Sequence, residues 1–284
     1  MTASFEALDI ALYRDIVQKA LSEDLGQGDQ TTDATIEAGQ KGYGELRTKE
    51  WCVLAGLEIA LEVFRQIEPT VIVVNKKLDG EECNSGDLVV AIEGEARGLL
   101  KAERTALNFL QRLTGIATAA RQYVKAAAGR TVILDTRKTI PMFRALEKYA
   151  VRAGGATNHR FSLDDGLLIK DNHVRLAGSI SMAVRRAKVR SADMVIEVEA
   201  QNLTEVDEAL ESGVDIVLLD NMTLDEMREA IARCRGLART ELSGGVTLER
   251  VDSLAALQPT YISVGSLTHS AVAIDMSMDI RPVL

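Results

Sequence analysis

The sequence predicts an α/β protein in two parts, a mixed α/β layer followed by a small or incomplete parallel barrel. Three observations carry that reading. Short apolar runs, each ending on polar or glycine residues, recur through the second half. Amphipathic segments headed by cap residues separate the later runs, so strand, cap and helix repeat roughly every 20 residues, the unit of a parallel sheet. The last residues alternate apolar and polar, the period of a half-buried strand.

In chain order, Leu8, Leu12, Ile16, Val17 and Leu21 have helical spacing, and the turn-rich run Glu23-Asp-Leu-Gly-Gln-Gly-Asp29 ends that helix. Strand-like pieces follow at 70–74 and 88–93. Residues 99–128 are helical in pattern, with Leu107, Leu110, Leu113 and Ile116 on one face; Gly115 reads as an interruption between two helices. Buried parallel strands are expected at 132–135, 167–170, 195–199, 216–220, 240–243 and 261–264. Between the later ones, Leu203, Val206 and Leu210, then Leu224, Met227 and Ile231, then Leu248, Val251 and Leu254 mark helices. Asn202 with Glu205 and Thr223 with Glu226 have capping-box spacing, and Thr247 is a cap without the acidic partner. A full eight-stranded barrel takes about 250 residues. The stretch from 115 is too short for that, so the barrel is expected to be incomplete. Domains are expected at 1–114 and 115–270. The alternation of Ile274, Met276, Met278 and Ile280 forms a strand within 271–284 that returns to the N-terminal layer.

With 46% hydrophobic and 26% charged residues among 284, the chain has apolar material for one or two cores. A formal net charge of -9, with basic residues scattered among acids, argues against a nucleic-acid or anionic-membrane partner. Cys52, Cys83 and Cys234 form neither a disulfide framework nor a metal or redox motif, which suits a reducing cytoplasm. Acidic residues interrupt 1–25, unlike a signal peptide, and no apolar run approaches bilayer length.

In parallel barrels the reactive residues sit at the C-terminal strand ends. Here those ends carry the cations Arg137, Lys138, Arg160 and Lys170 and the acids Asp135, Glu199 and Asp220. Each alone reads as a solvated strand-end residue. Together, cations on neighbouring strand ends repel one another unless an anion lies between them, so a polyanionic ligand is expected. Ser243-Gly-Gly245 and Gly265-Ser-Leu-Thr-His269 follow on successive strands, each before a helix. They read as a phosphate cradle, against the simpler reading of tight βα turns. Glu199 and Asp220 suit a divalent cation or sugar hydroxyls, or they merely balance Lys170. No HxxxH, His-Cys cluster or acid–histidine metal set is visible. Of three histidines, His159 and His269 adjoin the expected site, and His173 has no assignment.

The runs Glu103-Arg-Thr-Ala-Leu-Asn108, Asp135-Thr-Arg-Lys-Thr139, Glu147-Lys-Tyr-Ala150, Gly154-Gly-Ala-Thr-Asn-His-Arg160, Ile169-Lys-Asp-Asn-His173, Leu219-Asp-Asn-Met222, Ser243-Gly-Gly245 and Ser263-Val-Gly-Ser-Leu-Thr-His269 closely resemble the quinolinate phosphoribosyltransferase family, in order and over nearly the whole chain. So does the run at 23–29. The resemblance implies an N-terminal open-faced α/β sandwich joined to an incomplete α/β barrel. The assembly it implies is a homodimer or a hexamer, in which one subunit's N-terminal domain covers the other's barrel. It also implies decarboxylating phosphoribosyl transfer from phosphoribosyl pyrophosphate, with Mg2+, to quinolinate, as a step of NAD biosynthesis. By that resemblance Arg104 reaches a quinolinate carboxylate across the interface, while Arg137, Lys138, His159, Arg160 and Lys170 line the same pocket. Glu199 and Asp220 face the ribose and, indirectly, the magnesium; Ser243, Gly244, Gly245, Gly265 and His269 surround the 5-phosphate. Lys138, Lys170, Glu199 and Asp220 are the catalytic candidates.

Two stretches depart from the family pattern. Ile140-Pro-Met-Phe-Arg144 stands where members often have Thr-Pro-Gly-Leu-Arg, and Leu163-Asp-Asp-Gly166 replaces a commoner aromatic and methionine version. Neither removes a charged site residue; both bear on pocket shape and turnover. Three rival readings are an aldolase-like enzyme with Lys170 as Schiff-base lysine, the related molybdenum-locus proteins, and a non-catalytic sugar-phosphate sensor. A nucleophilic Lys170 needs a low-charge surrounding, the intact runs at 135–139 and 169–173 favour the quinolinate enzymes over the molybdenum-locus proteins, and the complete charged set argues against a sensor.

Overall fold

Tyr13, rather than Leu12, begins the buried face of the first helix. In the computed structural model, which describes residues 6–191 and 193–283, α1 (Arg14–Leu25) buries Val17 and Leu21 beside Tyr13, while Leu12 is 51% exposed in the short turn before it. Residues 1–5, at the start of the segment 1–25, and Leu284, at the end of the C-terminal strand segment, lie outside the described residues. The helix stops where expected, at Gly26 with φ of 50°, whose N–H donates to Ser22 O.

There follow α2 (Gln30–Thr35), β1 (Lys41–Thr48), β2 (Cys52–Val53), α3 (Leu57–Ile67), β3 (Ile72–Lys76), β4 (Glu82–Cys83), β5 (Leu88–Glu95) and α4 (Ala96–Ala127). Next come β6 (Val132–Leu134), α5 (Arg144–Ala153), β7 (Leu167–Ile169), α6 (Asp171–Ala177), α7 (Ile180–Arg190), β8 (Ile196–Ala200), α8 (Leu203–Glu211), β9 (Ile216–Asp220) and α9 (Leu224–Cys234). The chain closes with β10 (Arg239–Ser243), α10 (Leu248–Ala255), β11 (Tyr261–Ser263), α11 (Ser266–His269) and β12 (Met276–Pro282). These fall into two compact units, residues 1–121, 140–155 and 270–284, and residues 122–139 and 156–269.

The first unit contains a four-stranded antiparallel sheet in the order β12-β1-β5-β3. The C-terminal strand joins it through Ile274, Met276 and Met278, all buried, with Leu46 opposite Met278. Gly44 of β1 makes room for that return, since a β-carbon there would lie 2.2 Å from Met278 Cε.

Against expectation, α4 is a single helix of 32 residues that runs straight through Gly115. A β-carbon at Gly115 would sit 2.0 Å from Val272 O, so this glycine serves a close backbone approach and not a break. The first compact unit runs on along this helix to Arg121. Residues 140–155, with α5, join the first unit, where Arg112 Nη2 donates to Glu147 Oε1 at 2.8 Å and Tyr149 OH donates to Asp79 Oδ2 at 2.7 Å.

The second unit holds six strands in the order β6-β11-β10-β9-β8-β7, every pairing parallel. Among the described residues β6 and β7 do not pair with each other; beyond β6 the only extension is a parallel bridge from Leu134 to Thr157. This is the incomplete parallel barrel. β6, β7 and most of β9 read as continuous apolar runs, as strands covered on both faces do, whereas β8 and β10 interleave the acids Glu197, Glu199 and Glu241. Asn202 caps α8 by accepting from Glu205 N–H, and Thr223 and Glu226 close a full capping box on α9. Thr247 occupies the cap position of α10, but its side chain makes no cap hydrogen bond, a departure from the sequence reading. No helix of the described residues is long and apolar enough to cross a membrane.

Candidate active site

Strand alternation and register decide which side chains meet. Glu199 on β8, Asp220 on β9 and Ser243 on β10 lie on one face at the C-terminal strand ends, with Ser243 directly opposite Asp220. Following the sheet order, the rim carries Lys170, Glu199, Asp220, Ser243 to Gly245, Gly265 to His269, then Arg137 and Lys138. His159 and Arg160 follow the Thr157 bridge beside β6. Of the residues expected to form the site, only Arg104 is not on this rim; it is exposed on α4 in the first unit.

Arg137 and Arg160 are half-buried, and the Nε of each is buried without a hydrogen-bond partner. Burial and then the charge of Arg137 hold Arg160 below the ordinary arginine range. Two guanidinium groups that repel each other and keep inward N–H groups unused form a site for an anion. Arg160 is anchored at its far end, where Nη1 donates to Gly166 O at 2.9 Å. Asp135, fully buried at the end of β6, grips the approach: it accepts from Asn158 Nδ2 at 2.7 Å and from His159 N–H at 2.8 Å.

The ring of His159 lines one pocket with Arg160 and is met by two acids. Its Nε2 lies 3.1 Å from Glu197 Oε2 and 3.5 Å from Glu241 Oε2, and its Nδ1 accepts the Arg160 N–H at 2.8 Å. The fold thus builds an acid–histidine set that sequence spacing did not reveal, because its members come from three separate segments. Burial lowers the ring's pKa, whereas the hydrogen bond to Glu197 and the charges of Glu241 and Glu197 act to raise it. A doubly protonated ring, however, could not accept from the Arg160 amide. Burial, and after it the Glu241 charge, also raises Glu197, so the proton has a second home on the carboxylates, and the geometry favours the neutral ring with its hydrogen on Nε2.

Across the rim, Glu199 is raised by burial and then by the charge of Asp220, with Lys170 opposing. A carboxylate pair in mutual repulsion suits a hard divalent cation or hydroxyl donors. Lys170 is exposed, and its backbone N–H donates to His173 Nδ1 at 2.9 Å, which gives His173 a capping role at the start of α6. Gly244 and Gly245 have φ of 88° and 55°, and a β-carbon on Gly244 would lie 2.4 Å from Asn221 Oδ1. Asn221, itself at φ of 55°, also donates from Nδ2 to Asp220 Oδ2, so it locks the glycine turn to the acidic strand end. Gly265 forms the floor between Lys138 and His269: a β-carbon there would lie 3.0 Å from Lys138 Cδ and 3.3 Å from the His269 ring. Asn221, Glu197 and Glu241 were missed in the sequence. For the two acids the available signal was alternation, which places Glu197 on the face of Glu199 and Glu241 on that of Ser243.

Cations, a carboxylate pair and paired glycine turns on one rim define an anion-binding α/β-barrel protein. Comparison with known proteins makes this specific. The model of the quinolinate phosphoribosyl transferase N-terminal domain matches residues 29–114, and that of the C-terminal domain matches residues 116–279. A probable nicotinate-nucleotide pyrophosphorylase (carboxylating) of Bacillus subtilis is 41% identical over 91% of this chain and 90% of its own. A quinolinate phosphoribosyltransferase (decarboxylating) of Nicotiana tabacum is 37% identical over 93% of this chain and 81% of its own. The crystal structure of NadC from Streptococcus pyogenes, at 40% identity, superposes with a TM-score of 0.95 over 98% of this chain and all of that one. The chain belongs to the quinolinate phosphoribosyltransferase family.

Proposed function

We propose that this chain is a decarboxylating quinolinate phosphoribosyltransferase, which converts quinolinate and phosphoribosyl pyrophosphate to nicotinate mononucleotide, pyrophosphate and CO2 in the de novo route to NAD. The observation that carries the reading is the pair Arg137 and Arg160, whose buried Nε–H groups have no partner within the protein. An aromatic dicarboxylate supplies acceptors in the planar geometry that guanidinium groups match.

In this mechanism Arg137, Lys138 and Arg160 orient the two carboxylates, so that the pyridine nitrogen faces the anomeric carbon. A second subunit's Arg104 completes the pocket in a homodimer or a hexamer. Ser243, Gly244, Gly245, Gly265 and His269 hold the 5-phosphate, and Glu199 and Asp220 hold the ribose hydroxyls. Their mutual repulsion also fits them to hold magnesium, which would supply positive charge to the departing pyrophosphate. As the C1–O bond to pyrophosphate breaks, the nitrogen forms the new bond to C1 and becomes cationic. The C2–carboxylate bond then breaks, CO2 leaves, the electron pair remains on C2 beside the cationic nitrogen, and a proton replaces the carboxylate. Lys170 neutralises the pyrophosphate or the charge that forms at C2. Positioning and fixed charge contribute most of the acceleration. A cytoplasmic location accords with three free, buried cysteines.

The test is to mix the purified protein with quinolinate, phosphoribosyl pyrophosphate and magnesium, and to follow nicotinate mononucleotide and CO2 together. Equal formation of both, lost without magnesium, is the expected result. Binding of either substrate without product by the folded protein would overturn the catalytic reading in favour of a sensor.

A further inference from the structure

Beneath the rim the barrel carries a second layer of acids that the reaction as described does not use. Glu197 precedes Glu199 by two residues on β8, and Glu241 precedes Ser243 by two on β10, so each lies one pleat, roughly 7 Å, deeper. Glu197 is 5% exposed and Glu241 is 1% exposed. They face a cavity of about 340 Å³ whose walls include Leu134, Leu168, Ile216 and Tyr261. Neither oxygen of Glu241, nor Oε1 of Glu197, has a hydrogen-bond partner. Two carboxylates so placed are costly to bury unless they act on a neighbour, and both converge on Nε2 of His159.

We propose that Glu197 and Glu241 are positioning residues for the carboxylate-binding site: they hold His159 as the Nε2–H tautomer, so that its bare Nδ1 fixes the backbone of Arg160 and thereby aims its guanidinium. The inference rests on the function proposed above. The segment is held from both sides. Asp135 takes Asn158 Nδ2 and the His159 N–H, while His159 Nδ1 takes the Arg160 N–H at 2.8 Å. The Arg160 fork is tied down at Gly166 O, which leaves its buried Nε free for a ligand. A divalent ion on Nε2 is the competing reading of the same three side chains. A metal-bound histidine donates from its other nitrogen, whereas this one receives a donor there, so the tautomer is favoured over the metal.

The test uses the full-length protein with 15N-labelled histidine, whose three histidines give three ring signals that are assigned with a His159→Asn variant. In the wild type at neutral pH, His159 carries its hydrogen on Nε2 alone. Glu197→Gln and Glu241→Gln each disturb that tautomer and raise KM for quinolinate about tenfold, the scale of one weakened hydrogen bond to a charged group. KM for phosphoribosyl pyrophosphate stays within about twofold. The proposal is overturned by a His159 ring protonated on Nδ1 or on both nitrogens, or by variants with altered tautomer and wild-type KM for quinolinate. A rise in both KM values with a lowered Tm overturns it too, since that is loss of packing, as does a stoichiometric divalent metal whose removal by chelation changes the ring signals. If the wild type forms no product, the function reading fails by that result alone, and the ring signals still decide the geometry.

Discussion

Buried charge is handled differently in the two units. In the first, Glu147 is fully buried and both its oxygens are used, one by Arg112 and the other by the Ile140 N–H. Asp79 likewise accepts from the backbone N–H groups of Gly56 and Leu57 and from Tyr149 OH. In the second unit, Arg137 and Arg160 keep buried N–H groups unpaired, Glu241 has no hydrogen bond, and Glu199 and Asp220 repel each other. An unmatched buried charge costs stability and persists where a ligand supplies the missing partner. Arg112 in the first unit also keeps its buried Nε outside its hydrogen bonds to Glu147 and Ala271 O, so what marks the site is like charges set together, Arg137 beside Arg160 and Glu199 beside Asp220.

The largest expected effect tests that division directly. Arg137→Ala lowers kcat/KM on the order of 100-fold or more, the scale of losing one oriented charge at a reacting centre. Tm stays within about 2 °C, because no internal hydrogen bond of the Nε–H is lost. Steady-state kinetics beside a thermal melt check both halves, and normal turnover would mean that the anion pocket is misplaced. The converse substitution lies in the first unit. Glu147→Ala removes the buried carboxylate that both Arg112 and the Ile140 N–H use, with an expected loss of about 3 kcal/mol in urea unfolding. If Glu147→Ala left stability untouched, matched charge would not be what distinguishes the scaffold.

Much of this was legible beforehand, for physical reasons. Most of the parallel strands stand out because burial on both faces makes them short apolar runs, and the rim residues follow because barrel strands end on the site. What was hidden depended on contacts far apart in sequence. Val272 O turns Gly115 from an apparent helix breaker into a packing glycine, and the meeting of His159 with Glu197 and Glu241 needs three segments folded together. Arg104 carries no local signal at all, since an exposed helical arginine looks the same whatever it serves. Gly115→Ala sharpens the first of these points. Its methyl group would press on the Val272 backbone, so a loss of about 1–3 kcal/mol is expected, the usual cost of overpacking. A neutral result would mean that the C-terminal segment shifts freely.

The smallest expected effect lies where the scaffold breaks its own rule. The Phe143 N–H donates to Ile140 O at 3.1 Å, with Pro141 and Met142 between them, and Met142 has φ of 69°. That is the pattern of a type II turn, with proline at the second position and a residue at positive φ at the third, which glycine fills best. The family pattern often has glycine there, whereas this chain has a methionine that is 78% exposed and loses little packing if removed. The left-handed conformation costs an L-residue about 1–2 kcal/mol, and glycine's greater freedom in the unfolded chain offsets about half of the relief. Met142→Gly is therefore expected to stabilise the protein by about 0.5–1 kcal/mol in urea unfolding, with turnover unchanged. Stabilisation with a fall in turnover would instead show that strain in this turn serves the site, and would move Met142 from the scaffold side of the comparison to the functional one.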